Sequence, residues 1–398
     1  MNGKIQKVMR LYESKKLIYF LILFCLFPPV PRLFFSVIFK IEFLSLIFLS
    51  FFMLKKIIEH KEKLEFSDFK IFIAWIVLIV LGAIVGLFNH NSTYNIIKDI
   101  IYMLIPLWVF LLLYVFIDFI DKNFFKVLFK YGVIISVLQI VLTIYALLHG
   151  ISREVFRHTL LLFTLEVIPL LLVLKIIFSR KLLDWYVVVY LLALLSTEGR
   201  GNFLFVFLFV VTYFFLQRFK TKKYRFFYLI LMILGFTFIW ISPLVIPQLQ
   251  TFFGSSLKWR YMEWNSFFDF AQHSSFDFLT GKGLGALLPS LKPLTLFDGV
   301  KLHSLGKFHN IFIFLFFKFG FLGMFFYVFL GFFIFKKIAF LDNNKDFWLT
   351  FFLSFILFVL FVFNGGFTHS VSQGVILGFV LFLMENRLDI FKKNDILN

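Results

Sequence analysis

The chain has 398 residues, of which 61% are hydrophobic and only 16% charged, with a mean hydropathy of +0.94. Soluble domains run at roughly 45–50% apolar and about 25% charged, so this composition excludes a soluble enzyme, a nucleic-acid binder and a disordered scaffold. The net charge of +18 is then assigned to the cytoplasmic loops of a polytopic membrane protein, not to a nucleic-acid surface.

A spanning helix needs about 20 apolar residues. In chain order the sequence predicts twelve, at 17–30, 33–54, 69–88, 100–118, 127–148, 159–178, 182–197, 203–217, 226–246, 310–335, 347–363 and 371–385. The first ends in Pro28, Pro29 and Pro31, which suits a tight hairpin. With both termini in the cytoplasm, every segment placed inside carries at least three Lys or Arg, as the positive-inside rule requires. The basic start and the run 17–26 show no small-residue cleavage site, so no cleavable leader is expected. Cys25 is the single cysteine, which excludes an intrachain disulfide. The 67 Phe are read mainly as lipid-facing filler in a chain drifting toward AT-rich codons. The expectation is an all-α polytopic protein forming one integral membrane domain over 1–398. One large, partly helical external loop at 247–308 belongs to it.

Seven of the eight His fall on the predicted outer side: His90, His149, His158, His273, His303, His309 and His369. The six-residue turn Thr197-Glu198-Gly199-Arg200-Gly201-Asn202 joins spans seven and eight. Its Arg200 suits bidentate pairing with phosphate in a poorly hydrated site, or snorkelling to lipid headgroups. The large loop opens with Lys258-Trp259-Arg260-Tyr261-Met262-Glu263-Trp264, whose Trp259, Arg260 and Glu263 sit at helical spacing. This predicts an amphipathic interfacial helix, serving as an aromatic anchor or as a second cation facing the same anion. Gly281-Lys282-Gly283-Leu284-Gly285 follows. It has no strand–helix unit around it, so it is read as a compact turn that shapes the loop and not as a dinucleotide fingerprint. His309 and Asn310 open span ten, where a His is a polar cap or a working base and Asn310 can orient it or cap the helix.

External acids are Asp99, Glu154, Glu198, Glu263, Asp269, Asp277 and Asp298, without an Asp-x-Asp pair, and no external His stands at ligand spacing from another. Neither a metal nor a cofactor is expected. Charges within predicted spans are Lys40, Glu42, Glu166 and Lys318. Such charges default to function, with ion pairing inside the bundle as the alternative.

Taken together, the Arg200-Gly201 turn, the Trp-flanked Arg260, the Gly-x-Gly-x-Gly, and His309-Asn310 followed by Gly320-Phe321-Leu322-Gly323 resemble the bacterial O-antigen polymerase and ligase superfamily over about residues 190–330. Position 199 is Gly and position 198 Glu, where many relatives have Ser before the Arg. The resemblance implies a C-type glycosyltransferase fold at the outer face of the bacterial inner membrane, acting without metal on undecaprenyl-diphosphate-linked oligosaccharides. It implies that Arg200 and Arg260 hold the diphosphate and that His309 is the general base. Glu198, Glu263 and Asn310, with Arg157 and His158 at the start of span six, are candidate substrate-binding residues. Implied partners are the lipid bilayer, a chain-length regulator and a flippase, with no nucleic acid. The polymerase branch is favoured because compositional drift suits a strain-specific glycan. A ligase transferring polymer to lipid A-core, and a flippase or ion-coupled transporter, stay open.

Reporter fusions after Arg225 and after Ser290 should report opposite sides of the membrane, with Ser290 outside. The same side for both would contradict the twelve-span topology.

Overall fold

The computed structural model describes residues 16–24, 35–60, 69–151, 184–196, 255–273, 275–295, 301–306, 311–339 and 371–385, with single positions at 156, 168, 170–172, 174–175 and 308. A helical segment at 16–24 is followed by α1 (Phe35–His60), α2 (Phe69–Phe88), α3 (Thr93–Val115), α4 (Lys122–Leu148) and α5 (Trp185–Ser196). The large loop contributes α6 (Ser255–His273), α7 (Ser275–Thr280), β1 (Leu288–Thr295) and β2 (Lys301–Leu305), and α8 (Ile311–Ala339) and α9 (Val371–Glu385) complete the order.

Helices dominate because a chain this apolar must satisfy its backbone donors and acceptors internally. Among the described residues, Thr93–Val115, Lys122–Leu148 and Ile311–Phe329 are long and apolar enough to cross a membrane. Shorter apolar helices occupy Phe72–Phe88, Trp185–Ser196 and Gly374–Met384. The outer face of α4 exposes Ile134, Val141, Ile144 and Leu147, an apolar surface that only lipid or another apolar partner would cover. The protein is a membrane protein built largely of helices. The expected spans at 203–217, 226–246 and 347–363 lie outside the described residues.

Local chemistry sets the helix ends and crossings. The Asp121 carboxylate caps α4 by accepting from the Asn123 and Phe124 amides at 3.0 and 2.9 Å. The same carboxylate takes the Tyr19 hydroxyl at 2.8 Å, which ties the 16–24 segment to α4. Pro106 lies inside α3, where it removes one helical donor. Gly374 and Gly378 of α9 face Ile105, Pro106 and Val109 there, so the two helices approach closely. Tyr190 of α5 donates to the Phe129 carbonyl of α4 at 2.8 Å.

Two differences from the sequence expectation matter. Span ten is not continuous: Gly320 has φ 58° and ψ −142°, a conformation open essentially only to glycine, and it breaks α8 into two halves. The large loop, expected to be partly helical, also carries sheet, which the all-α expectation did not include. β1 and β2 form an antiparallel hairpin, with Leu288 opposite Leu305, Thr295 opposite Lys301, and an irregularity between Pro289 and Leu294. Pro289 and Pro293 conceal the strand in the sequence, and they are tolerated because a two-stranded ribbon has only edges.

Candidate functional site

The large loop folds onto α8. Along α6, Trp264 stacks on Phe312 at 6.0 Å, Phe267 meets Phe316 edge-on at 5.5 Å, and Phe270 meets Phe317 edge-on at 5.0 Å. Both numbers rise together, so α6 runs parallel to the first half of α8. Glu263 is 0% exposed on this helix, beside the buried Ser266 and Phe267. The amphipathic helix expected around Trp259, Arg260 and Glu263 therefore forms, but it packs its Glu263 face inward against protein.

After α7 the chain enters the Gly281–Gly285 turn. All three glycines have positive φ, at 78°, 76° and 80°, which confirms a compact turn and explains the residue type. The turn does not stay at the mouth of the bundle. It reaches the level of Gly320, nine residues into α8 and so about 13 Å along it at 1.5 Å per residue. A β-carbon on Gly283 would overlap the backbone of Gly86, and one on Gly281 the backbone at Lys318 and Gly320.

Backbone this deep must find partners. The break at Gly320 interrupts the helical ladder, leaving carbonyls near the end of the first half available. The Lys282 and Gly283 amides donate to the Phe317 and Lys318 carbonyls, each at 2.9 Å, and the Leu284 amide donates to the Gly82 carbonyl of α2 at 2.8 Å. The turn's own carbonyls are met from the α2–α3 connection: Asn91 Nδ2 donates to Lys282 O at 2.8 Å and to Leu284 O at 2.9 Å. A broken helix in a membrane protein can mark an ion or substrate pathway, but here amides of the same chain occupy the freed carbonyls.

Lys318 and Asp99 close the cluster. Lys318 Nζ lies 2.8 Å from Asp99 Oδ2 and donates to Ala286 O at 2.6 Å. Asp99 also accepts from the Gly285 amide at 2.8 Å. Lys318 is 1% and Asp99 9% exposed. Of the charges expected within spans, Lys318 thus takes the ion-pairing alternative. Asp99, read from sequence as a loop acid, is a helix residue, because α3 begins at Thr93 and not at residue 100.

Of the sequence-predicted site residues, Arg260 lies on α6 and Glu263 is buried three residues later. Arg200, Glu198, Arg157, His158, His309 and Asn310 lie outside the described residues, as does Glu166. α5 ends at Ser196, one residue before the turn that carries Arg200, and α8 begins at Ile311, two residues after His309. Among the described residues no three His, Cys, Asp or Glu gather where they could hold a metal ion. Asn91, Asp99 and the Gly82/Gly86 pair were missed. Gly82-x-x-x-Gly86 was the available signal, since small residues one helical turn apart mark a close approach.

A family model described as O-Antigen ligase matches residues 185–328. The match runs from the start of α5 into the second half of α8 and covers nearly the stretch that carries the resemblance to the O-antigen polymerase and ligase superfamily. That resemblance is thereby borne out. Arg200, Arg260 and His309 fall inside the matched stretch, and Arg157 and His158 outside it. No curated protein matches the chain.

The glycine turn gives a graded test. Gly150 also has positive φ, at 61°, but open space around it. Gly150→Ala should cost only the left-handed backbone term, about 1–2 kcal/mol, whereas Gly283→Ala must also displace α2. In detergent, Gly283→Ala should lower the apparent Tm by several degrees more than Gly150→Ala. Equal shifts would mean that the turn is not wedged against Gly86.

Proposed function

We propose that this membrane protein, similar over residues 185–328 to the O-antigen ligase family, is a metal-independent glycosyltransferase that polymerises lipid-linked polysaccharide repeats. It acts at the outer face of the bacterial inner membrane, with both termini in the cytoplasm and a C-type glycosyltransferase fold. The growing glycan moves from undecaprenyl diphosphate to the next lipid-linked repeat of an O-antigen or capsule. An acceptor hydroxyl oxygen attacks the anomeric carbon and the carbon–oxygen bond to the diphosphate breaks. The leaving group departs with the bonding electrons. Arg200 and Arg260 bind that diphosphate and stabilise its growing charge, an electrostatic contribution that is often the largest in catalysis. His309 takes the hydroxyl proton, for which an unperturbed pKa of about 6.5 is suited. Arg157, His158, Glu198 and Asn310 complete the binding surface, and Glu263, buried on α6, supports it from behind. A chain-length regulator and a flippase are the natural protein partners of such an enzyme.

The family match over residues 185–328 is the observation that carries this reading, and the parallel register of α6 on α8 supports it. Arg260 stands four residues before Trp264, and His309 three before Phe312; Trp264 and Phe312 stack on each other. In sequence, His309 precedes α8 by two residues and Arg260 lies on α6, the two elements that this register holds side by side.

The family's description, O-Antigen ligase, favours a second reading, in which the protein would transfer finished polymer to lipid A-core. Deleting the gene and separating the surface glycan by gel distinguishes the readings. Core capped by a single repeat supports the polymerase. Free polymer with bare core supports the ligase, and loss of all external glycan would place the protein among the flippases.

Arg200→Ala and Arg260→Ala should abolish polymer at unchanged protein level. Arg→Lys should rescue poorly, because a point charge does not reproduce the bidentate fork. His309→Ala should cost about 10²–10⁴ in rate and leave single repeats exported but unextended, while His303→Ala should be mild. Normal chain length in His309→Ala at matched expression, with loss in His303→Ala, would reassign the base.

A further inference from the structure

We propose that the buried Asp99–Lys318 pair is a positioning device for the transfer reaction, setting the place of the α8 half-helix that follows His309 relative to the loop that carries Arg260. The inference rests on the glycosyltransferase reading for its chemistry and on geometry for its substance.

A buried ion pair is a poor stabiliser. Removing two charges from water costs several kcal/mol per ion, and apolar replacements are often as stable or more so. What such a pair supplies is direction. Here Asp99 and Lys318 join three separate pieces of chain: α3, the Gly285–Ala286 backbone, and the first half of α8. Each contact depends on orientation. The Asp99 carboxylate accepts from both the Gly285 amide and Lys318 Nζ, while Lys318 also donates to the Ala286 carbonyl.

Turning the half-helix by one residue swings Lys318 by about 100°, as 3.6 residues complete a turn, and breaks both of its contacts. Sliding it breaks the amide contacts at Phe317 and Lys318 as well. The residues held in this way lead backward along α8 to Ile311, which His309 precedes by two residues in sequence, and through α7 and α6 to Arg260. Neither Asp99 nor Lys318 touches substrate in this account. They act through the helix and the turn, so their loss appears as misplacement of the base. A misplacement of about 1 Å costs on the order of a hundredfold in rate, and it appears in kcat when the lost contact exists only in the transition state.

The test uses the full chain in lipid nanodiscs, with lipid-linked oligosaccharides extracted from cells lacking this gene as the probe. Asp99→Leu/Lys318→Met removes the pair without leaving a lone buried charge. Asp99→Asn/Lys318→Gln removes the charges but keeps donors and acceptors in place. The apolar double should assemble normally, lose at least tenfold in kcat and keep KM within about threefold. The polar double should stay within about threefold of wild-type kcat. Wild-type turnover by the apolar double, or an equal loss in both doubles at matched assembly, would overturn the proposal. Failure of the apolar double to assemble would overturn it too, by assigning the pair to assembly.

A geometric readout separates this proposal from the reaction itself. Spin labels at Gln272 on α6 and Tyr94 on α3, in a Cys25→Ser background, should give one narrow distance distribution in the wild type and the polar double. The distribution should broaden or shift in the apolar double. An unchanged distribution sinks the positioning role whatever the chemistry, whereas a wild-type protein that leaves the probe unconverted sinks the transferase reading alone.

Discussion

A peptide group inside a membrane protein must find a hydrogen-bond partner from the protein, because lipid offers none. The Gly281–Gly285 turn meets that requirement at the level of the α8 break, and the site is arranged around the way it does so. The turn's amides take the carbonyls that Gly320 frees on α8 and one carbonyl of α2, and Asn91 takes the turn's own carbonyls. Glycine is required twice over, for positive φ and for approach to the Gly86 and Gly320 backbone. Once seated, the turn fixes α6 and α7 on one side and the β1–β2 hairpin on the other. The large loop is thus part of the helix bundle.

The proposed chemistry follows from that seating. In the proposed reaction a donor with a polyprenyl tail would enter from the bilayer and present its diphosphate near the membrane surface. A metal-free enzyme needs cations fixed there before the charge develops, since preorganised groups stabilise a transition state without reorganising. α6, held on α8 by stacked and edge-on aromatic rings, gives Arg260 a rigid base. In sequence Arg200 stands four residues after the end of α5, whose Tyr190 is bonded to α4. Cations on separate elements can clamp one diphosphate only if those elements keep their spacing, so rigid packing away from the reaction is part of the proposed mechanism.

Much of this was legible in the sequence because the membrane simplifies the code. Apolar length located α2 and α9 at their observed limits and α4, α5 and α8 within a few residues at most ends. The helix around Arg260 was readable from the spacing of Trp259, Arg260 and Glu263, and the compact turn from its glycines. What escaped depends on tertiary contact. A window of apolar residues has no means of showing that Gly320 is left-handed, because Phe on both sides reads as continuous helix. Asp99 looked external since a charge usually ends a span; only the buried Lys318 opposite it allows α3 to carry it. The hairpin escaped because Pro289 and Pro293 argue against strand unless the partner geometry is known.

Hydrogen exchange of the protein in nanodiscs tests whether the turn is seated in the bundle, by following the amides of Lys282, Gly283, Leu284 and Gly285. These amides should exchange as slowly as the buried α3 amides around Met103, since all four donate to carbonyls or a carboxylate inside the bundle. Exchange of these amides at the rate of an open surface loop would contradict that seating.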